Sequence, residues 1–271
     1  MLLTLTHGST PRFRYARLEP LVLGLAGLLA LGALLELLPA LGIADARYFP
    51  PLSVVLDEST RLVSTLDFWA AMGSTIVGWL TGLLIAIVAG TVLGVLIATV
   101  PVLHTLLTST IEFLRPIPSV ALIPLAVLLF GTTGAATLVI VVYASLWPIL
   151  IQVIYGVQAI DTVATDTART YRIGTLRILR RVIWPGILSY LFVGIRLSAT
   201  IALLLEITGE LVIGSPGLGK LITVASQSGA FSTMYSLVWI AALLGVLVGL
   251  GSRYLENKSM FWHASIRGEV M

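Results

Sequence analysis

The sequence predicts an all-α protein, a bundle of about six membrane-spanning helices, and three observations predict it. Hydrophobic residues make up 58% of the 271 and charged residues 11%, with a mean hydropathy of +1.03; soluble domains hold roughly 45–50% apolar and 25% charged residues. Apolar runs long enough to span a bilayer, about 20 residues each, recur along the chain. Charge is gathered into a few connections, most densely at residues 161–185, which carry Arg169, Arg172, Arg177, Arg180 and Arg181 between two apolar runs.

These features also exclude functions. Six spans and their loops use the whole length, so no soluble catalytic domain fits and the chain is not expected to be an enzyme. The absence of cysteine removes disulfides, thiolate metal sites and cysteine nucleophiles. His7, His104 and His263 are scattered and make no metal-ligand cluster. A net charge of +3 sits on loops, where it fixes orientation in a lipid bilayer and does not indicate nucleic-acid binding.

Taken in order, residues 1–17 read as a cytoplasmic tail, with Arg12, Arg14 and Arg17 before an apolar run at 18–38 that makes the first span. A cleaved secretory signal is the competing reading, because Ala44-Asp45-Ala46 looks like a cleavage site; the run exceeds the 7–15 residues of a signal core. Residues 39–67 turn polar and form an external loop, with Phe49-Pro50-Pro51 as a turn. A core at 68–256 follows, with a loop at 161–182, and residues 257–271 close the chain as a second cytoplasmic tail.

Within the core, the second span covers residues 69–100. Its Gly78-x3-Gly82 and Gly90-x3-Gly94 put small residues on one face, where another helix can approach closely, although glycine is common in membrane helices generally. Residues 103–130 are irregular: Glu112 and Arg115 lie three apart, and Pro116, Pro118 and Pro124 interrupt the backbone ladder. An arginine at bilayer depth costs about 2.5–3.5 kcal/mol on insertion scales, so Arg115 needs a wet cavity or a partner. Either it lines a cavity and contacts an anionic substrate, or it pairs with Glu112. A fourth span runs over 135–157, kinked at Trp147-Pro148, and a fifth from Pro185 to about Leu205 contains Arg196, which either meets an acidic neighbour or touches substrate.

Glu206 and Glu210 share one face at the end of that span. Such a pair suits proton coupling, a solvated gate or a site for a partner's basic residue. Residues 214–220, GSPGLGK, fit the start of a phosphate-binding loop, but Leu221 stands where a Ser or Thr should hold magnesium and no strand precedes it. A re-entrant Gly-rich gate loop is the expectation. The last span covers 234–251 and contains Gly245-x3-Gly249. Eleven of the sixteen Lys and Arg fall in segments expected inside, three outside (Arg47, Arg61, Lys220) and two within spans.

The loop at 161–182 reads as helical, with Thr165 or Asp166 as N-cap and Gly174 as stop. Asp166-Thr167-Ala168 followed by Pro185 resembles the EAA loop of permease subunits in ATP-binding-cassette importers, a helix that docks into the ATPase subunit. The motif's glycine falls where this chain has Arg172, so the bend is expected two residues later, at Gly174. Residues 112–125, EFLRPIPSVALIPL, with Phe130-Gly131, Gly194-Ile195-Arg196, Glu210 and Gly217-Leu218-Gly219, are similar to the nitrate, sulfonate and taurine branch of these permeases.

The resemblance implies a type I importer permease fold like that of a methionine importer. It implies coupling through Asp166, Thr167, Ala168, Arg169, Arg172 and Gly174, and a path or gate involving Glu112, Arg115, Pro118, Arg196, Glu206, Glu210, Gly217 and Gly219. It also implies ABC ATPase subunits that hold ATP and magnesium, no cofactor bound by this chain, a second permease subunit, in a homodimer in preference to a heterodimer, and an external substrate-binding protein. Residence in a bacterial inner membrane with both termini cytoplasmic follows from the same resemblance. The rivals are a proton-coupled secondary carrier using Glu206 and Glu210, and a purely structural membrane subunit.

Overall fold

The structure, a computed structural model, describes residues 19–259. The tail at 1–17, with His7, Arg12, Arg14 and Arg17, and the end of the second tail, with His263 and Arg267, lie outside the described residues. The described chain is helical: α1 Glu19–Ala40, α2 Leu52–Val63, α3 Leu66–Thr99, α4 Pro101–Leu114, α5 Ile123–Phe130, α6 Gly134–Gln158, α7 Thr162–Thr170, α8 Thr175–Ile178, α9 Trp184–Ile213, α10 Leu218–Gln227 and α11 Phe231–Ser259. Five helical stretches are long and apolar enough to cross a membrane, or six if α4 and the segment Ser119–Phe130, bent 87° from it, form one broken span.

Close contacts give the topology. Gly82 lies against Val141, Gly90 against Ile149 and Gly94 against Val153, so residue numbers rise together and α3 runs parallel to α6. The chain must therefore return across the bundle between them. It does so through α4: His104 lies beside Gln158 at the end of α6, and ten residues later the Leu114 carbonyl accepts a bond from the Tyr143 hydroxyl. The contacts Gly156–Tyr190, Gly194–Ile149 and Gly209–Thr137 make α9 antiparallel to α6, and Arg196 with Glu256 makes α11 antiparallel to α9. One face of the bundle thus holds α10 and the starts of α3, α6 and α11. The other holds α7, α8 and the end of α11, on the same side as the start of α1.

The glycines of α3 explain why it packs so closely. A Cβ on Gly90 would sit 2.9 Å from Ile149 and one on Gly94 would sit 2.8 Å from Val153, both inside contact distance. In a membrane no hydrophobic gain separates helix from lipid, so backbone approach of this kind is what holds spans together. The pattern predicted from sequence therefore packs against α6. The same spacing in α11 does not: Gly249 has nothing within 4 Å. α1 is largely exposed, as a lipid-facing helix would be. It rests on α2 through the Glu36 carboxyl, which accepts from the Ser53 N–H at 2.9 Å and hydroxyl at 2.8 Å.

Several expectations are corrected. The external loop contains the helix α2, whose Val55 and Leu62 are buried and whose Glu58 receives a bond from Thr233 of α11; its short amphipathic repeat was hidden by its acidic residues. The fifth span continues past Leu205 to Ile213, because Glu206 and Glu210 are accommodated inside the bundle. The last span extends to Phe231–Ser259.

Candidate functional site

At the α10 face, a side chain of α3 and the backbone of α10 converge on one carboxyl of α9. Glu210 is completely buried. The Thr75 hydroxyl donates to its Oε1 at 2.7 Å and the Gly219 N–H donates to its Oε2 at 2.9 Å, while the Leu218 N–H donates to Thr75 at 2.9 Å. Glu210 therefore caps the first turn of α10 from across the chain, satisfying donors that a helix N-terminus otherwise leaves open. Gly217, at φ +155°, and Gly219 are required here: a Cβ on Gly217 would run into the Glu210 carboxyl, and one on Gly219 into the Ile207 carbonyl. Beside them, the buried Thr137 and Ser215 hydroxyls bond to each other at 2.8 Å.

Glu206, one turn away, is also buried, packs against Gly78 of α3, and leaves its Oε2 without a hydrogen-bond partner. Glu206 and Glu210 are therefore buried in this structure and not solvated, unlike the exposed pair that a solvated gate or an open docking site would present. The phosphate-loop pattern is settled too. The N–H groups of Leu218 and Gly219 that would cradle a phosphate already bond to Thr75 and Glu210.

The broken span places its charges at depth. Tyr143, which bonds the Leu114 carbonyl, is nine residues into α6, about 14 Å from its start. Arg115 ends α4 there, and Arg115, Glu112 and Pro118 are all exposed. No ion pair joins Arg115 to Glu112 among the described residues, and both residues are exposed. Arg196 behaves otherwise: its guanidinium pairs with Glu256 of α11 at 2.9 Å. A partner for Arg196 sixty residues away carried no local sequence signal, and neither did Thr75, Thr137 or Ser215.

At the opposite face, α7 begins one residue after Asp161, whose side chain accepts the Val163 N–H at 2.8 Å. Asp161 is the cap, not Thr165 or Asp166. The helix ends in a Schellman-type turn, with the Ile173 N–H bonded to the Ala168 carbonyl at 3.0 Å and Arg172 at φ +52°. So the bend lies at Arg172 and is not displaced; Gly174, at φ −60°, instead caps the start of α8. A left-handed conformation costs a non-glycine residue roughly 1–2 kcal/mol. Ala168 is buried, whereas Val163, Asp166, Thr167, Thr170 and Tyr171 are exposed and share one helical face. The Arg169 side chain lies outside the described set.

Comparison with known proteins fits this geometry. The family described as binding-protein-dependent transport system inner membrane component matches residues 82–258. The chain belongs to this family. The taurine transport system permease protein of Escherichia coli is 22% identical over 96% of this chain and 97% of its own length. The bicarbonate transport system permease protein of Synechococcus elongatus is 29% identical, covering 89% of this chain and 90% of its own. In fold the permease is similar to an inward-facing MetNI methionine ABC transporter chain, with a TM-score of 0.60 at 18% identity over 70% of this chain and 95% of that one. It is thus a multi-pass inner-membrane transport component of the nitrate, sulfonate and taurine branch. Its α7 corresponds to the EAA-type segment, and the matched region runs from the glycine-lined part of α3 nearly to the end of α11.

Proposed function

We propose that this permease is one of two identical subunits forming the path of an ATP-driven importer, with ATP and magnesium held on separate ATPase subunits and solute delivered by an external binding protein. The observation that carries this is the exposed face of α7 on the arginine-rich side of the bundle. Five of the described arginines flank or lie in the loop there, and Arg253 and Lys258 share that face, against Arg47, Arg61 and Lys220 on the other. Lys and Arg resist translocation, so the α7 face is cytoplasmic, and the start of α1 and the end of α11 lie with it.

The mechanism follows from connectivity. α7 joins α6 to α9, and these two helices pack closely at Gly156, against the Tyr190 side chain, and at Gly194, against the backbone of Pro148 and Ile149. A load from closing ATPases on Asp166, Thr167 and Tyr171 would move α6 and α9 as one body, hinged at Arg172 and at the π-helical turn Leu179–Ile183. The solute is a small molecule with an anionic oxygen group, such as the sulfonate of zwitterionic taurine or the bicarbonate for which relatives are named. Arg115, exposed at membrane depth without an acidic partner, is the residue placed to meet it. Its neighbours Glu112 and Pro118 shape that path, while Arg196 holds α9 to α11 and Glu206, Glu210, Gly217 and Gly219 hold the outer end.

Thr167→Arg tests the docking role without disturbing the buried Ala168. ATP-driven uptake and ATPase stimulation should fall at least tenfold with membrane insertion intact; unchanged rates would remove α7 from the coupling path. A proton-coupled carrier, resting on the unpartnered Glu206 oxygen, predicts instead that uptake stops with a proton uncoupler and survives loss of the ATPase.

A further inference from the structure

Behind α7, on the side turned toward the bundle, lies a cavity of about 670 Å³ that the coupling role does not use. Its floor is apolar: Val95 from the end of α3, Val157 and Ile160 from the end of α6, and Ile178 and Ile183 from the segment leading into α9. Its rim is polar and carries Arg172, with Thr162 and Thr165 from the inner side of α7. A second cleft of about 430 Å³ adjoins it at Gly174 and Thr175 and is lined by Arg177 and Arg180. No acidic residue lines either space among the described residues; Asp161 and Asp166 belong to the same loop but not to these walls.

This combination selects one chemistry. An apolar floor between span ends gains from burying hydrocarbon, at about 0.8 kcal/mol per methylene as a general rule. Arg172 of this cavity and Arg177 and Arg180 of the adjoining cleft supply forked donors that match phosphate oxygens. The site lies where the spans end, at the level of lipid headgroups, and basic pockets between spans on the cytoplasmic side suit anionic headgroups. We propose that the space between the α3 and α6 ends and the α7–α8 arm is a binding site for an anionic glycerophospholipid, its phosphate at Arg172, Arg177 and Arg180 and an acyl chain along the apolar floor. Arg172 then has a use at a position where its backbone conformation favours glycine: the side chain reaches the rim from the bend itself. A lipid seated there would brace the arm against the bundle.

The full chain, purified in detergent and offered equal phosphatidylglycerol and phosphatidylcholine, is read by native mass spectrometry, a readout independent of transport. Phosphatidylglycerol adducts should dominate, and Arg172→Gln, Arg177→Gln and Arg180→Gln should each weaken them about fivefold. A triple Lys variant should keep the preference, and Ala98→Trp, at a further lining residue from the end of α3, should abolish it by filling the floor with all arginines present. Equal adducts of the two lipids, or an unaltered preference in the triple Gln variant, would overturn the proposal. Displacement of phosphatidylglycerol by millimolar inorganic phosphate would reassign the site to a free anion and overturn the lipid.

Discussion

The two ends of α9 are held in opposite ways. At its outer end Glu210 is fixed by Thr75 of α3 and by the backbone of α10, and Gly209 lies against Thr137 of α6, so three neighbours lock the same turn. At its inner end the chain enters through a π-helical turn, a short α8 and the bend at Arg172, with nothing within 4 Å of a Cβ placed on Gly174. Buried polar groups that are fully bonded rigidify and specify one arrangement. Exposed backbone joined by strained turns is the material from which hinges are made. On the proposed mechanism the difference teaches where motion enters: force would arrive at the loose end and turn the helix about the locked one.

The largest expected effect comes from breaking the lock. Glu210→Ala leaves the Gly219 N–H buried without its acceptor, leaves the Thr75 hydroxyl only the Ala71 carbonyl, and opens a cavity; unfolding of the purified protein in denaturant should show a loss of roughly 2–5 kcal/mol. A loss under 0.5 kcal/mol would mean that the outer end is not held as described. Next come paired glycine substitutions at the two ends. Gly219→Ala drives a methyl into the Ile207 carbonyl and to 2.7 Å from the Leu211 nitrogen, backbone that cannot step aside, and should cost about 1–3 kcal/mol. Gly174→Ala, with φ −60° and open space around it, should change stability by less than about 0.5 kcal/mol. Equal effects at both would erase the contrast.

A smaller effect of opposite sign is expected at the bend. Arg172→Gly relieves a left-handed conformation and should stabilise the α7 turn by about 1 kcal/mol, seen as slower hydrogen exchange at Ile173. Exchange that becomes faster would show that the arginine side chain, not backbone freedom, holds the turn. The smallest concerns α2 on the locked side. Hydrogen bonds from Arg61 and Thr233 hold the Glu58 carboxyl below the usual glutamate value of 4.5. A depressed value stabilises the folded form above the ordinary one and loses that contribution as pH falls through the lowered one. Exchange at α2 should therefore quicken only below about pH 4.5, and Glu58→Gln should flatten that dependence.

Much of the fold was legible because hydrocarbon length and arginine placement are local signals. The glycines of α3 announced a close contact, although their partner, α6, required the parallel return that the break at Arg115 makes possible. The site was legible in part. Asp166 to Ala168 marked α7, but its cap at Asp161 and the bend at Arg172 depend on which backbone donors go unpaired. Glu206 and Glu210 looked exposed because two carboxylates in sequence suggest water; only Thr75, some 135 residues distant, explains how one of them is housed inside.

The central claim is that α7 faces the compartment that holds ATP, and the chain's lack of cysteine makes it open to direct test. Tyr171→Cys and Lys220→Cys, made singly, can be exposed to a membrane-impermeant maleimide in sealed vesicles of known orientation. Tyr171→Cys should label only in inside-out vesicles and Lys220→Cys only in right-side-out ones. Labelling of Tyr171→Cys from the outside would contradict the account.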